Sequence, residues 1–238
     1  MKTSILIFLI AIQGIFCGDF LREDFNNLQN WTELTFPKIE DHSQYSIESR
    51  DAESYLKTFT SNSASGLIYK EQFDVYKYPE LEWRWKVSNT FSKGNALEKS
   101  GDDYPLRIYI IFEYDPDESG FFESVVYESA RLIYGEYPPH SSLNYIWANK
   151  AQSKRIIPNS YTDKAQMIVL QEGEDNLDIW VTESMNMLDD YREAFGEDPP
   201  STTTIAIMAD SDNTGESATA YVDYFLVRPV TKVEGVYK

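Results

Sequence analysis

Ile205-Ala-Ile-Met-Ala-Asp-Ser-Asp-Asn-Thr-Gly-Glu-Ser-Ala-Thr-Ala-Tyr-Val-Asp-Tyr-Phe-Leu-Val227 reads as strand, polar loop, strand. Small and apolar residues fill both flanks, and the loop gathers Asp210, Asp212, Asn213 and Glu216 around Gly215. A short acceptor-rich loop between two such runs is the pattern of an all-β protein. It suits a hydroxyl-rich ligand or a hard cation such as calcium, which takes about six to eight oxygen ligands. Asp210, Asp212, Thr214 and Gly215 match the opening spacing of a helical calcium loop. The closing Glu is missing, because that position is Tyr221, and the flanks are strands, so this is not an EF-hand. The competing reading is a hairpin turn whose Asp and Asn side chains bond their own backbone.

Working outward, several segments alternate with period two. Leu81-Glu-Trp-Arg-Trp-Lys-Val87 puts Leu81, Trp83, Trp85 and Val87 on one face and Glu82, Arg84 and Lys86 on the other. Leu106 to Phe112 places Leu106, Ile108, Ile110 and Phe112 together. Residues 31–36, 54–60 and 66–73 are further strand candidates. Ala165 to Leu170 and Leu177 to Thr182 flank Glu172-Gly-Glu-Asp-Asn176 and predict a hairpin. Helical spacing appears over 121–134, closed by Gly135 and Pro138-Pro139, and over 187–195, with Gly196 at the C′ position. Strands dominate, so the expected fold is all-β: an antiparallel two-sheet sandwich of jelly-roll type with two short helices. A closed barrel is the alternative.

The start of the chain reads as an export signal. Lys2 supplies the positive end, Ser4 to Ile12 is almost wholly apolar, and a small residue precedes the cut near Cys17. The expected organisation is a signal peptide over 1–17 and one sandwich domain over 18–238. Acylation of Cys17 is disfavoured by Phe16. Cleavage after Cys17 leaves no cysteine, which excludes a disulfide framework, a thiol nucleophile and a zinc–thiolate site. No second long apolar run follows, so no membrane insertion of the mature chain is expected. The formal net charge of −18 argues against nucleic acid and anionic lipid as partners. Aromatic residues make up 15% of the chain, which excludes a disordered polymer and suits pleated, half-buried surfaces.

The ordered blocks Ser63-Ala-Ser-Gly-Leu67, Trp83-Arg-Trp-Lys86, Gly101-Asp-Asp-Tyr-Pro-Leu-Arg-Ile-Tyr-Ile110, Leu143-Asn-Tyr-Ile-Trp-Ala-Asn-Lys150, Asp190-Tyr-Arg-Glu-Ala-Phe-Gly196 and Ile207-Met-Ala-Asp-Ser-Asp-Asn-Thr-Gly-Glu-Ser217 resemble a family of bacterial exported proteins, domain of unknown function 3047. The resemblance implies a β-rich bacterial domain without an assigned activity, and it supplies no catalytic residues. The short segment Tyr221-Val-Asp-Tyr224 is also similar to one in the last strands of carbohydrate-binding sandwiches.

Three further constellations carry polar chemistry. Asp102-Asp103 stands at a strand entry, where the carboxylates can hold a metal or a sugar hydroxyl, or pair with Arg107 and Lys86. Adjacent side chains diverge, so the two are not expected to act as one dyad. Trp83 and Trp85 share their face with Leu81 and Val87, which favours core over a sugar platform. Asn144, Tyr145, Trp147, Asn149 and Lys150 mix amides, which read hydroxyls with both donor and acceptor, with rings that stack; the same mix is ordinary at a loop-to-strand junction.

Signatures of catalysis are thin. There are two histidines, His42 and His140, and no Gly-x-Ser-x-Gly elbow, His-Glu-x-x-His motif or phosphate loop. A glycosidase needs only two carboxylates about 5–10 Å apart, and Glu183 has no special claim among the many acids. Catalytic residues therefore stay unassigned. The expected function is non-catalytic binding of a carbohydrate or other polyhydroxylated ligand by an exported, periplasmic or extracellular sandwich. Its site would draw on Lys86, Asp102, Asp103, Arg107, Asn144, Tyr145, Trp147, Asn149 and Lys150, with Asp210, Asp212, Asn213 and Glu216 for calcium. The rivals are a carboxylate-dependent hydrolase or lyase of polysaccharide and an envelope scaffold.

Overall fold

The computed structural model describes residues 18–36, 38–51, 53–117, 127 and 138–230. The expected signal segment with Cys17, and the expected helix over 121–134 apart from Tyr127, lie outside the described residues. In chain order the strands are β1 (Leu21–Glu23), β2 (Trp31–Leu34), β3 (Gln44–Arg50), β4 (Glu53–Ser61), β5 (Ala64–Tyr69), β6 (Phe73–Asp74), β7 (Glu80–Val87), β8 (Arg107–Phe112), β9 (Ser141–Ala148), β10 (Ile156–Pro158), β11 (Ala165–Glu172), β12 (Val181–Asn186), β13 (Thr202–Asp210) and β14 (Ser217–Arg228). They form two sheets. The front sheet runs β12-β7-β14-β4-β3, with β1 against the end of β14; the back sheet runs β10-β11-β9-β8-β13-β5-β2, with β6 against the start of β13. The all-β sandwich is therefore the observed architecture. One departure from the antiparallel expectation is β9 with β11, which pair in parallel.

The sheets enclose one apolar core. The front sheet contributes Leu56, Leu81, Trp83, Trp85, Val87, Val222 and Phe225, and the back sheet Ile108, Ile110, Phe112, Leu143, Tyr145, Trp147, Ile205 and Ile207. Rings bridge the layers: Trp83 lies 5.2 Å from Tyr145 and Trp85 5.7 Å from Trp147, centroid to centroid. Both tryptophans of β7 are fully buried, as their apolar neighbours on the strand required.

The outer faces differ. Along β7, half-exposed and buried residues alternate, so the front sheet presents a polar surface outward. The back sheet is covered on both sides over part of its area. A second cluster of Ala96, Tyr104, Ile146, Ala148, Ile157 and Met167 fills its outer face beneath the β7–β8 connection. Strands buried on two faces lose their alternation. This is why β9 reads as a junction rather than a strand in the sequence.

The helix expected over 187–195 is present as α1 (Met187–Phe195). Its Asn186 cap accepts from the amides of Leu188 and Asp189, and Gly196 ends it in the left-handed region with φ 76°. The second expected helix is not part of the described architecture, which adds only a 3-10 turn, Lys99–Gly101. The expected hairpin across 172–176 is not formed. β11 belongs to the back sheet and β12 to the front sheet, so the intervening chain crosses between layers. The amide of Gly173 bonds Ala148 O and that of Asp178 bonds Val87 O, fixing the two ends of the crossing to opposite sheets.

The Asp210–Glu216 loop is likewise a corner between sheets, not a hairpin turn, since β13 is in the back and β14 in the front. A second corner at Asn62-Ser63 joins β4 to β5 beside it. The two are tied by Ser211 N to Ser63 O at 2.8 Å and by the Thr60 and Ser211 hydroxyls at 2.8 Å. Gly215, at φ 69°, supplies the left-handed turn the corner needs.

Candidate functional site

Two polar regions stand out, and they differ in access. The first is a carboxylate nest at the rim of the back sheet, where the β7–β8 connection meets the β13–β14 corner. Arg107 begins β8 opposite Met208 of β13, which brings its guanidinium beside Asp210 at the end of that strand. Arg107 Nη2 donates to Asp210 Oδ2, and Nη1 lies 3.8 Å from Asp102 Oδ1. Asp210 Oδ1 also accepts from the Tyr104 amide at 3.2 Å. Asp103 closes the corner: its carboxylate accepts from Asn213 N, Asn213 Nδ2 at 2.9 Å and Thr214 N at 2.6 Å. Asn149 braces the same loop, donating from Nδ2 to Asp103 O at 2.7 Å and accepting from Phe91 N at 2.8 Å. Gly94 is required here, because a Cβ would come within 2.2 Å of Asn149 Nδ2.

The nest is almost dry. Asp102, Asp103 and Asp210 are 3%, 0% and 1% exposed. Burial works against the charge on Arg107, yet Asp210, Tyr109 and Asp102 outweigh it and raise its pKa. Asp102 and Asp212 also bind their protons more firmly. Burial raises both carboxyl pKa values, with Arg107 opposing at Asp102 and the Asp103 charge adding at Asp212. The excess negative charge is thus relieved by firmer proton binding. Asp103, Asp210 and Asp212 each place an oxygen within 4.8 Å of the others, the spacing a cation could bridge. Asp103 and Asp210 already spend their oxygens on amides and on Arg107.

Several expected site residues take other places. Glu216 accepts from Ser92 N at 2.7 Å, Ser92 Oγ at 2.5 Å and Lys93 N, away from the three clustered carboxylates. Asn213 presents its amides to Asp103, and its Oδ1 accepts from Tyr161 Oη at 3.1 Å. Tyr145 and Trp147 face the core; the first donates to Asp190 of α1 at 2.8 Å and the second to Gly173 O at 3.1 Å. Asn144 is buried, with Nδ2 on Met167 Sδ and Oδ1 without a hydrogen-bond partner. Lys150 is exposed. Lys86 does not join Arg107 among the carboxylates, because it lies on the outer face of the front sheet. Glu183 accepts from Trp85 Nε1 at 3.2 Å and Gln171 Nε2 at 2.8 Å, which ties β12 to β11 rather than pairing it with a second acid. Burial raises its pKa and those bonds oppose the rise. His140 Nδ1 meets Ser141 Oγ at 2.9 Å, but that hydroxyl belongs to a residue only 3% exposed.

The second region is the open face of the front sheet, of which sequence reading singled out Lys86 and the Tyr221–Tyr224 segment. Strand parity builds it. Lys86 pairs with Tyr221 of β14, Tyr221 with Lys57 of β4, and Trp180 immediately precedes Val181, which pairs with Trp85. A row Trp180, Lys86, Tyr221, Lys57 therefore crosses four strands on one face. Tyr55 joins it from β4. Tyr55 lies 5.9 Å from Trp180 and 5.7 Å from Tyr221, and Trp180 lies 6.2 Å from Tyr221, all edge-to-face. Lys86 Nζ stands 4.3 Å from the Tyr221 centroid and 5.1 Å from that of Trp180, and Arg84 Cζ is 5.3 Å from Trp180. The three rings are half-exposed, and Phe59 beyond them is 38% exposed. The available signal was an aromatic at the outward parity of a cleanly alternating strand: Tyr55 beside buried Leu56, and Tyr221 beside buried Val222.

Comparison with known proteins places the chain in a family. The model of the family described as "Protein of unknown function (DUF3047)" matches residues 29–226, and the chain belongs to that family. No curated protein matches significantly. Among solved structures, the family 11 carbohydrate-binding module of the cellulosomal cellulase Lic26A-Cel5E of Clostridium thermocellum is similar at 10% identity, with a TM-score of 0.46 over 92% of this chain and 98% of that one. The Emp47p carbohydrate recognition domain is similar at 10% identity and a TM-score of 0.44, covering 88% and 94% of the two chains. A lectin from Bauhinia forficata in complex with GalNAc follows at 11% identity and 0.39, over 89% and 97%.

Proposed function

We propose that this protein is an exported β-sandwich that binds carbohydrate without catalysis, on the open face of the front sheet. One observation carries the reading: Tyr55, Trp180 and Tyr221 form a half-exposed aromatic platform with Arg84 and Lys86 set among the rings. A pyranose offers an apolar C–H face and a rim of hydroxyls. Rings take the first and long cationic donors take the second. The nest serves a different purpose in this reading. It locks the sandwich corner that holds β14, and with it Tyr221, in register.

The carboxylates near the platform are engaged in ion pairs: Asp223 with Arg84 at 3.1 Å and Glu48 with Lys57 at 2.8 Å. This favours binding over acid–base hydrolysis, which needs a free pair about 5–10 Å apart. A hollow lined by Gln152, Ser153, Lys154, Arg155, Val169, Leu170 and Glu172 contains a single carboxylate. Affinity electrophoresis through gels containing soluble polysaccharides tests the reading. At least one polysaccharide should retard the wild type and leave Trp180→Ala unretarded. Equal mobility of the two proteins in every gel would remove the platform as a site.

A further inference from the structure

We infer that the sugar bound on this face carries a carboxylate, as a uronate does; the inference rests on the carbohydrate reading and names its ligand class. The observation is a mismatch in local charge. The chain is strongly acidic, with 39 Asp and Glu against 21 Lys and Arg. On the open face the other cations are matched. Arg84 holds Asp223, Lys57 holds Glu48, and Arg228 holds Glu80 and Glu82 at 3.1 Å each. Lys86, in the middle of the aromatic row, has no carboxylate partner among the described residues. In a protein with such an excess of acids, an unmatched lysine at the centre of a sheet face marks a place for an incoming anion.

The rings explain how the charge persists there. Cation–π contact with Tyr221 and Trp180 holds the ammonium in place without neutralising it. Neither ring face provides a strong acceptor, so the donors of Lys86 remain available. A uronate ring stacked on Trp180 or Tyr221 carries its carboxylate at the ring edge, within reach of an ammonium standing between the two platforms. The overall negative charge does not forbid this. At physiological salt, charges beyond about 8 Å are largely screened, so the nearest group decides. A flanking ring lowers the local dielectric and strengthens the contact further.

Isothermal titration at physiological salt tests the idea with oligogalacturonate, oligoalginate and oligoglucuronate, each beside its carboxyl-reduced neutral counterpart. The wild type should bind at least one acidic oligomer tenfold or more tighter than its neutral partner. Lys86→Gln should bring the affinity for the acidic oligomer down to that for its neutral partner, and Trp180→Ala should weaken both members of the pair. Equal binding of acidic and neutral forms, or a preference that survives Lys86→Gln, overturns the carboxylate inference and leaves a neutral-sugar site standing. Failure of all these oligomers, together with failure of a neutral glucan, galactan and xylan panel, overturns the carbohydrate reading itself.

Discussion

The carboxylate nest and the aromatic face each set a cation beside rings, yet one is closed and the other open. In the nest, Asp102, Asp103 and Asp210 are buried, and their oxygens meet Arg107, Asn159 and the amides of Tyr104, Asn213 and Thr214. On the face, Lys86 meets rings that cannot neutralise it. The difference comes from the sheets. The back sheet is covered outside by the β7–β8 connection, so its polar residues turn chiefly to one another. The front sheet keeps its alternation and leaves its outward residues to solvent or ligand. Polar density by itself therefore marks internal joints as readily as binding sites. Access and unmatched charge separate the two.

The largest effect expected from this contrast is on stability. Arg107→Met leaves Asp210 buried without its counter-ion and should cost about 3–5 kcal/mol in urea denaturation. Trp180→Ala, on the half-exposed face, should cost under about 1 kcal/mol in the same assay. A neutral Arg107→Met would break the contrast by showing that the nest holds nothing together. Next in size is binding: Trp180→Ala should lower polysaccharide affinity about tenfold or more, while Glu216→Gln should leave it unchanged. Glu216→Gln should instead loosen the Ser92-Lys93 contact and cost about 1 kcal/mol of stability.

Smaller effects sharpen the account of the nest. The Asp212 carboxyl binds its proton more firmly in the folded state than in the unfolded chain. Its contribution to stability is therefore greatest below the ordinary aspartate range and is lost as pH rises through the raised folded value. Asp212→Asn should thus be more stable than wild type by a few tenths of a kcal/mol at about pH 7, with the gain fading toward about pH 3. The smallest expected effect is that of calcium. Arg107 already provides the positive charge among the carboxylates, so millimolar calcium against chelator should leave the melting midpoint unmoved. A rise would show cation binding to the native state and turn the joint into a metal centre.

Much of the sandwich was legible in period-two alternation. β7 and β8 declare their inward faces, and α1 declares its span through spacing and Gly196. β9 was hidden because burial on both faces erases alternation, and the β11–β12 connection misled because adjacency in sequence does not reveal a change of sheet. Part of the candidate site was also readable. Asp102, Asp103, Arg107 and Asp210 do meet, and the pairing of Asp102 with Arg107 that the sequence offered is among their contacts. What was not readable was that they pair with one another in a buried cluster, with Asp102 Oδ1, Tyr104 Oη and Arg107 Nε left without a hydrogen bond among the described residues. The aromatic platform escaped because Tyr55, Trp180 and Tyr221 lie far apart in sequence and meet only through cross-strand register.

Four tryptophans, Trp31, Trp83, Trp85 and Trp147, are at most 5% exposed, whereas Trp180 is half-exposed. Acrylamide quenching of tryptophan fluorescence therefore reports chiefly on the front face. Titrating the protein with an oligosaccharide it binds should lower the quenching constant to the residual value of Trp180→Phe. A binding isotherm that saturates while quenching stays constant would mean that the ligand sits elsewhere and that the open face is not the site.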